Sequence, residues 1–404
     1  MNKPKDVAVI GGGPAGAAVA ILLAEQGMGV TIFEREAYPK PIGAGIMLQP
    51  SGLQVLRNIG VYDEIAYNGM PIHGLYAHNT KGKTVFDVSF KLKNQDLSGL
   101  GVHRASLFAS LYEKIDALPI QIVNDADICD IKNEGGPLTI VDQHNRTYGT
   151  FDTAIVANGA KSVLREKYNI ARYDRMQPYG ALWCKIPHPE TFDRIHHIYE
   201  GTTKMIGLMP IGYPGHEHHD HPSVNFFYGV TEQYFDDWGP HRFKAWKKEA
   251  LAMAPEYADL IEKISDFDEL TLTPYHDVLL NSFYYKNVVF AGDAAHATGP
   301  HLSSGTNLAL MDAFMLSESF EKGGSIQEIF SRYQSNRKDQ VYYYHLISKL
   351  ITPFFQSKTN IALLRNLFMV NGLKIPFTKK MMIQTIGGIK QGFFKNLDPK
   401  YYIC

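Results

Sequence analysis

A chain of 404 residues is too long for one simple core, so two domains with room for a terminal extension are expected. Hydrophobic residues at 45% and charged residues at 20% exclude a disordered chain, and a net charge of −1 gives no case for general nucleic-acid binding. Three scattered cysteines, Cys129, Cys184 and Cys404, form neither a disulfide framework nor a zinc site, so a reducing, cytoplasmic setting is expected.

The first segment is the most informative. Asp6 to Glu34 reads DVAVIGGGPAGAAVAILLAEQGMGVTIFE: an apolar run, Val7 to Ile10, a glycine turn, a small-residue helix from Ala15 to Gln26, and a second apolar run ending in Glu34. Gly11 permits a tight turn, Gly13 lets a pyrophosphate approach the backbone, and Gly16 lets the helix lie close on the sheet. With Pro14 and Ala15, these glycines open a helix whose N-terminal amides favour phosphate. Glu34, followed by Arg35, stands about twenty residues beyond the loop, where an acid binds ribose hydroxyls. A competing reading takes Lys3, Lys5 and the apolar run to Ala24 as a leader or membrane span. The Gly-Pro cluster in mid-run and the VTIFE strand after it favour a βαβ unit.

A glycine-rich loop, Gly43 to Gly45, then leads into a helix ending near Gly60. Segments 72–78 and 84–90 are expected to be strands of a different sheet. GVHRASLFASLYEKI reads as an extended piece and an amphipathic helix, and Ile120 to Val123 and Thr139 to Val141 as strands. The apolar strand Thr153 to Ala157 runs into a second glycine turn, Asn158-Gly159. From about Met176 to Thr273 short β-rich runs dominate, with one helical segment, HRFKAWKKEALAMAPEYADLIEKI, suggesting a mostly antiparallel second domain. The chain returns through NVVFAGDAAHATGPHLSSGTNLALMDAFMLSESF, a strand, a glycine turn and a long helix. Residues 326–404 read as helical, with breaks at Pro353, Gly372–Pro376 and Gly387–Gly388.

GGGPAG with Glu34, DTAIVANGAKSVLR, and AGDAAHATGPHLSSGTNLALMDA together resemble the single-component FAD-dependent aromatic monooxygenases of the p-hydroxybenzoate-hydroxylase fold, including salicylate-hydroxylase-like enzymes. The resemblance runs from about residue 6 to 345, and the GDAAH segment is its most specific part. It implies an α/β fold: a Rossmann-like FAD-binding domain (1–71, 99–175, 274–345) interrupted by a mostly antiparallel substrate domain (72–98, 176–273), then a helical C-terminal region (346–404). It implies that Gly11, Gly13 and Gly16 hold the FAD pyrophosphate and Glu34 the adenosine ribose. Arg104 then contacts the flavin side and Asp293 the ribityl chain, while Pro300 lies beside the ring. Gly305, Thr306 and Asn307 start a helix facing the flavin N1–C2=O edge. It further implies NAD(P)H as a transient donor, O2 as co-substrate and oxygen transfer through a flavin C4a-hydroperoxide to an aromatic or polycyclic apolar molecule.

Two positions depart from the family pattern. Asn158-Gly159 replaces Asp-Gly, which puts direct nicotinamide reduction in question and leaves an external reductase open. HLSSGTN replaces a GlyGlnGly-type turn and is slightly similar to flavin-dependent halogenases, but Trp183 stands alone without their paired-tryptophan motif. A flavin-dependent reductase or halogenase, or a non-catalytic flavin-binding protein, therefore stay as alternatives. No nucleophile triad or metal is expected, and no catalytic base is assigned beyond Tyr228 or a histidine.

Weaker candidates remain. Met47, Gln49 and Met209 are pocket candidates, as is the face of VNFFYGV bearing Phe226 and Tyr228, although plain sheet packing explains that strand equally well. His216, His218, His219 and His221 lie on a polar loop better read as solvated than as a metal site, and His296 as structural. The tail from Tyr342 to Phe394 mixes aromatics with lysines. It suits either a helical cap, over the first domain or a partner copy, or a peripheral membrane surface. Monomer and homodimer both stay open.

Overall fold

The computed structural model describes residues 4–38, 44–189, 192–213 and 221–402. Gly43, His216, His218 and His219 lie outside them, and His221 is exposed. The run at Val7 forms a central strand, Asp6–Ile10, because it is apolar on both faces and buried on both. Gly29–Phe33 and Thr153–Val156 flank it in parallel; Ile120–Val123 continues one side, and Val288–Phe290 with Tyr284–Tyr285 the other. Only the last pair is antiparallel. Strand order thus reverses at Asp6–Ile10, and the crevice at its carboxyl end is where ligands of such sheets bind.

The helix Pro14–Glu25 has almost no polar face, so it is covered all round, by the helices Gly305–Glu321 and Arg104–Asp116. A Cβ on Gly16 would collide with the carbonyl oxygen of Gly11, so the glycine is what lets this helix lie so close.

A seven-stranded sheet stands beside this layer, in the order Thr271–Leu280, Ala171–Pro187, Ser223–Thr231, Lys204–Gly212, Arg194–Glu200, Gly74–Asn79, Thr84–Ser89. It is antiparallel apart from Arg194–Glu200 against Gly74–Asn79. Its paired strands Ala171–Pro187 and Thr271–Leu280 run through the divisions expected near 175 and 274; ladder pairing, not composition, sets their length. The helix expected through Ile264 ends at Met253, since Pro255 restricts Ala254 to φ −134 and ψ 64. By contrast, the helix Ile326–Phe355 continues through Pro353 for two residues, giving up one i→i−4 bond there. That helix also crosses the division expected at 346. Shorter helices, Ala362–Arg365 and Pro376–Ile386, complete the C-terminal region.

One buried carboxylate joins these parts. Asp312 accepts the Gly292 amide at 2.7 Å, His296 Nε2 at 2.5 Å and Arg337 Nε at 2.7 Å, and both its carboxyl and Arg337 are fully buried. Arg337 donates on to the Leu308 carbonyl at 3.1 Å. Burial raises the Asp312 carboxyl, but His296 and Arg337 outweigh it and hold it at about 2. Removing one partner of such a cluster strands the others without a counter-charge. Asp312→Ala is therefore expected to cost about 3–5 kcal/mol in urea unfolding. Because this carboxyl is depressed, its contribution is complete above the free value near ~4 and is lost as pH falls towards 2. An acid titration should show Asp312→Ala levelling a stability loss that wild type shows in that window.

Candidate active site

Three glycine turns, far apart in sequence, touch one another. Gly11 has φ +101, and a Cβ there would lie 2.7 Å from Ala157 O and Asn158 Cα of the second turn. Gly292 has φ +60, and a Cβ there would lie 2.9 Å from Ala15. Arg165, itself buried, donates to the carbonyls of Gly159 at 3.3 Å, Ala160 at 2.5 Å and Ala294 at 3.2 Å, tying the second turn to the third. Ala15, Ala157 and Ala309 form a small apolar cluster where the turns meet. Asp174 pairs with Arg165 at 2.7 Å and with His276 at 2.6 Å; burial raises its carboxyl, but these two partners lower it.

The meeting point fits a dinucleotide. Nothing lies within 4 Å of a Cβ built on Gly13, whose helix has Pro14 at its start and no side chain capping it. Glu34 accepts the amides of Gly12 at 2.8 Å and Glu36 at 3.1 Å, and each oxygen keeps a lone pair for a ribose hydroxyl. Tyr112 bonds the Gly12 carbonyl at 3.1 Å. Arg35 is exposed and paired with Glu36. Asn158 Oδ1 and Ser304 Oγ are buried without a partner, and Gly159 is open on its Cβ side. Such orphaned polar atoms call for a bound group.

Beyond the turns opens a cavity of about 1000 Å³. Arg104, Asp293, Pro300, Gly305 and Thr306 line it, as do Gly45, Met47 and Met209. Asn307 is not on it. Its side chain is spent inside, accepting the Gln49 amide at 2.7 Å and donating to Met47 O at 3.0 Å and Ser303 O at 2.9 Å. Gln49 is buried, donating to Leu302 O at 2.9 Å. Ser303 has φ +50, the left-handed region that favours glycine, which explains why a GlyGlnGly-type turn suits this place.

The opposite wall is one row of the seven-stranded sheet. Cross-strand register aligns Thr271, Trp183, Phe227, Gly207, His197, Ala77 and Phe86. Gly207 makes room for the Phe227 ring, which would overlap any Cβ there. Phe226 and Tyr228 are therefore not pocket residues: alternation turns them to the back, where Trp246 of the helix Pro240–Met253 meets them at 6.1 and 6.0 Å, and Tyr228 bonds Glu249. Asn225 and Phe227 face the cavity instead. Asn225 accepts the Gly45 amide at 2.9 Å. The signal that was missing is Trp246, whose covering helix decides which side of the strand is the back.

Two histidines face the same space. His197 Nδ1 lies 2.9 Å from the Tyr199 hydroxyl, and burial, then His301, push its ring down to about 3. His301 stacks on Phe355 with centroids 5.5 Å apart, has a buried Nε2 without a partner, and is pushed by burial to about 4. Both are neutral near pH 7. His296 is occupied by Asp312, as a structural residue.

These surroundings give a specific expectation for the first turn. Gly13→Ala meets no protein atom, so unfolding of the ligand-free chain should be unchanged while dinucleotide retention drops about tenfold or more, ~1.4 kcal/mol. Gly16→Ala should lower both, as equilibrium dialysis alongside urea unfolding will show.

The family model described as "FAD binding domain" matches residues 5–342. Curated relatives include 6-methylpretetramide 4-monooxygenase of Streptomyces rimosus, 26% identical over 76% of this chain and 73% of the relative. Another is 6-hydroxynicotinate 3-monooxygenase of Pseudomonas fluorescens, 24% identical over 84% and 89%. Among solved structures, tetrameric 2-methyl-3-hydroxypyridine-5-carboxylic acid oxygenase superposes with a TM-score of 0.78 at 19% identity, over 95% of this chain and 97% of that one. The turns, the cradle and the match agree: the chain belongs to the FAD-binding domain family and is an FAD-dependent monooxygenase.

Proposed function

We propose that this enzyme hydroxylates an apolar aromatic or polycyclic small molecule with O2 and NAD(P)H. One observation carries the reading: a large cavity reaches the second and third turns at Ala160 and Asp293, and its far wall is aromatic and apolar. Relatives named for 6-hydroxynicotinate and 6-methylpretetramide support an aromatic ring as substrate. Both are named monooxygenases, which favours oxygen insertion over halogenation, reduction or mere sequestration.

Bound FAD supplies the oxygen chemistry; the protein supplies placement, water exclusion and proton handling. In this reading Gly11, Gly13, Pro14, Ala15 and Gly16 hold the pyrophosphate and Glu34 the ribose. Arg104, Asn158, Gly159 and Asp293 hold the flavin half. The amides of Gly305, Thr306 and Asn307, at a helix start with no side-chain cap, face the flavin edge and favour negative charge there. Met47, Met209, Trp183 and Phe227 sandwich the substrate, and the seven-stranded sheet is its platform. With Nδ1–H donating to Tyr199, Nε2 of the neutral His197 accepts a hydrogen bond from a ring hydroxyl and orients it. Electrons arrive from NAD(P)H directly or, given Asn158, through an external reductase. The enzyme works in the cytoplasm as a monomer or homodimer, with its C-terminal region as the point of any membrane contact. No described helix is long and apolar enough to cross a bilayer.

Screening aromatic compounds for accelerated NAD(P)H oxidation, with labelled O2, tests the whole reading. Label in the product is expected; substrate-stimulated oxidation without label would remove oxygen insertion. His197→Leu should raise KM for a phenolic substrate about fivefold, the worth of one hydrogen bond. Because burial holds His197 at about 3, the wild-type rate should show no limb near pH 6.5 that this variant abolishes.

A further inference from the structure

Between Asp339 and Asp398 the chain carries seven lysines, one arginine and no acidic residue, although the whole protein has a net charge of −1. The structure sorts these charges. Arg365 is buried and donates to the Gly201 carbonyl at 2.7 Å, Lys390 is buried, Lys349 lies over the Tyr173 ring, and Lys358 pairs with Glu232. Lys374, Lys379, Lys380 and Lys395 are exposed, with no carboxylate at ion-pair distance among the described residues.

The same region exposes its largest apolar side chains. Leu363 is 87% exposed and Phe394 93%, and Leu364, Leu367, Ile375 and Phe377 are exposed as well. Singly exposed apolar residues need no explanation; this many within one short segment do. The inner side of this segment is the cavity wall, through Met369, Leu373, Met381 and Met382. Leu350, Phe368 and Phe393 are both exposed and part of the cavity lining, so the apolar surface and the cavity share side chains.

We propose that residues 362–394 dock on an anionic lipid bilayer, with the exposed lysines at the phosphate level and Leu363, Phe377 and Phe394 among the acyl chains, so that an apolar substrate enters the cavity from the lipid. Charge complementarity selects this occupant. A second copy of the chain would bring the same unpaired lysines against these, whereas an anionic headgroup layer neutralises them. Entry of substrate from lipid rests on the function proposed above; the docking does not.

The test is co-sedimentation of the full-length FAD-loaded protein with phosphatidylcholine vesicles, with and without phosphatidylglycerol, followed by flavin absorbance and needing no turnover. Partition onto the anionic vesicles only, weakened by salt, is expected. Lys379→Gln with Lys380→Gln should lower the partition coefficient about 25-fold, at about fivefold per lysine. Leu363→Ser with Phe394→Ser should lower it too, both pairs keeping wild-type flavin content and activity on a water-soluble aromatic probe. Absence of wild-type partition onto anionic vesicles overturns the proposal, and so does partition that neither pair changes. A dimer in solution that Leu363→Ser with Phe394→Ser dissociates, with no vesicle binding, also overturns it and assigns the surface to a second copy. Failure of the hydroxylation reading would instead appear as absent substrate-stimulated NAD(P)H oxidation with vesicle binding intact.

Discussion

The site depends on one buried carboxylate. Asp312 takes the Gly292 amide with one oxygen and Arg337 with the other, and His296 shares the first. A charge this deep is tolerable only when its lone pairs are answered, and here Arg337, His296 and a backbone amide answer it. The consequence is positional. Gly292 begins the turn that presents Asp293 to the cavity, and Leu308, held by Arg337, lies in the helix whose first amides face the same space. A network in the interior thus ties together two backbone segments at the surface of the cavity.

Arg165 does the corresponding work for the second turn, with its guanidinium spread over three carbonyls from two segments. Arginine suits this because its fixed fork offers several donors in one plane. Between the two networks the turns pack through alanines and glycines alone. Small residues bring backbone to backbone, which leaves amides to point at a ligand and no side chain to block it.

Much of this was legible in the chain. The glycine spacing, the buried run at Val7 and the GDAAH segment each carry a local signature, and together they predict the turns, the parallel sheet and the helix at Gly305. Asp312, Arg337 and Arg165 were not legible as ligands of these turns, because their partners there are 16 or more residues away or are backbone atoms with no side-chain code. The assignment of Phe226 and Tyr228 to the pocket failed for a related reason. A strand apolar on both faces reads the same either way round, and only the helix bearing Trp246 breaks the tie. Asn307 was placed correctly at the helix start, but its side chain serves Met47, Gln49 and Ser303 rather than the cavity.

The cavity divides its labour by polarity. Charged groups, Arg104, Asp293 and Lys161, are on its lining, while the sheet wall offers Trp183, Phe227 and Phe86 with few polar atoms. Shape, more than hydrogen bonding, then decides which ring is admitted, and a purely apolar pocket discriminates weakly between molecules of similar size. The two neutral histidines supply what shape cannot. On the function proposed above, a hydroxyl-bearing ring would be a better guest than its bare analogue, since His301 Nε2 is buried without a partner. The same proposal would have the ring oriented by these two imidazoles, because His197 is held by Tyr199 and His301 by Phe355.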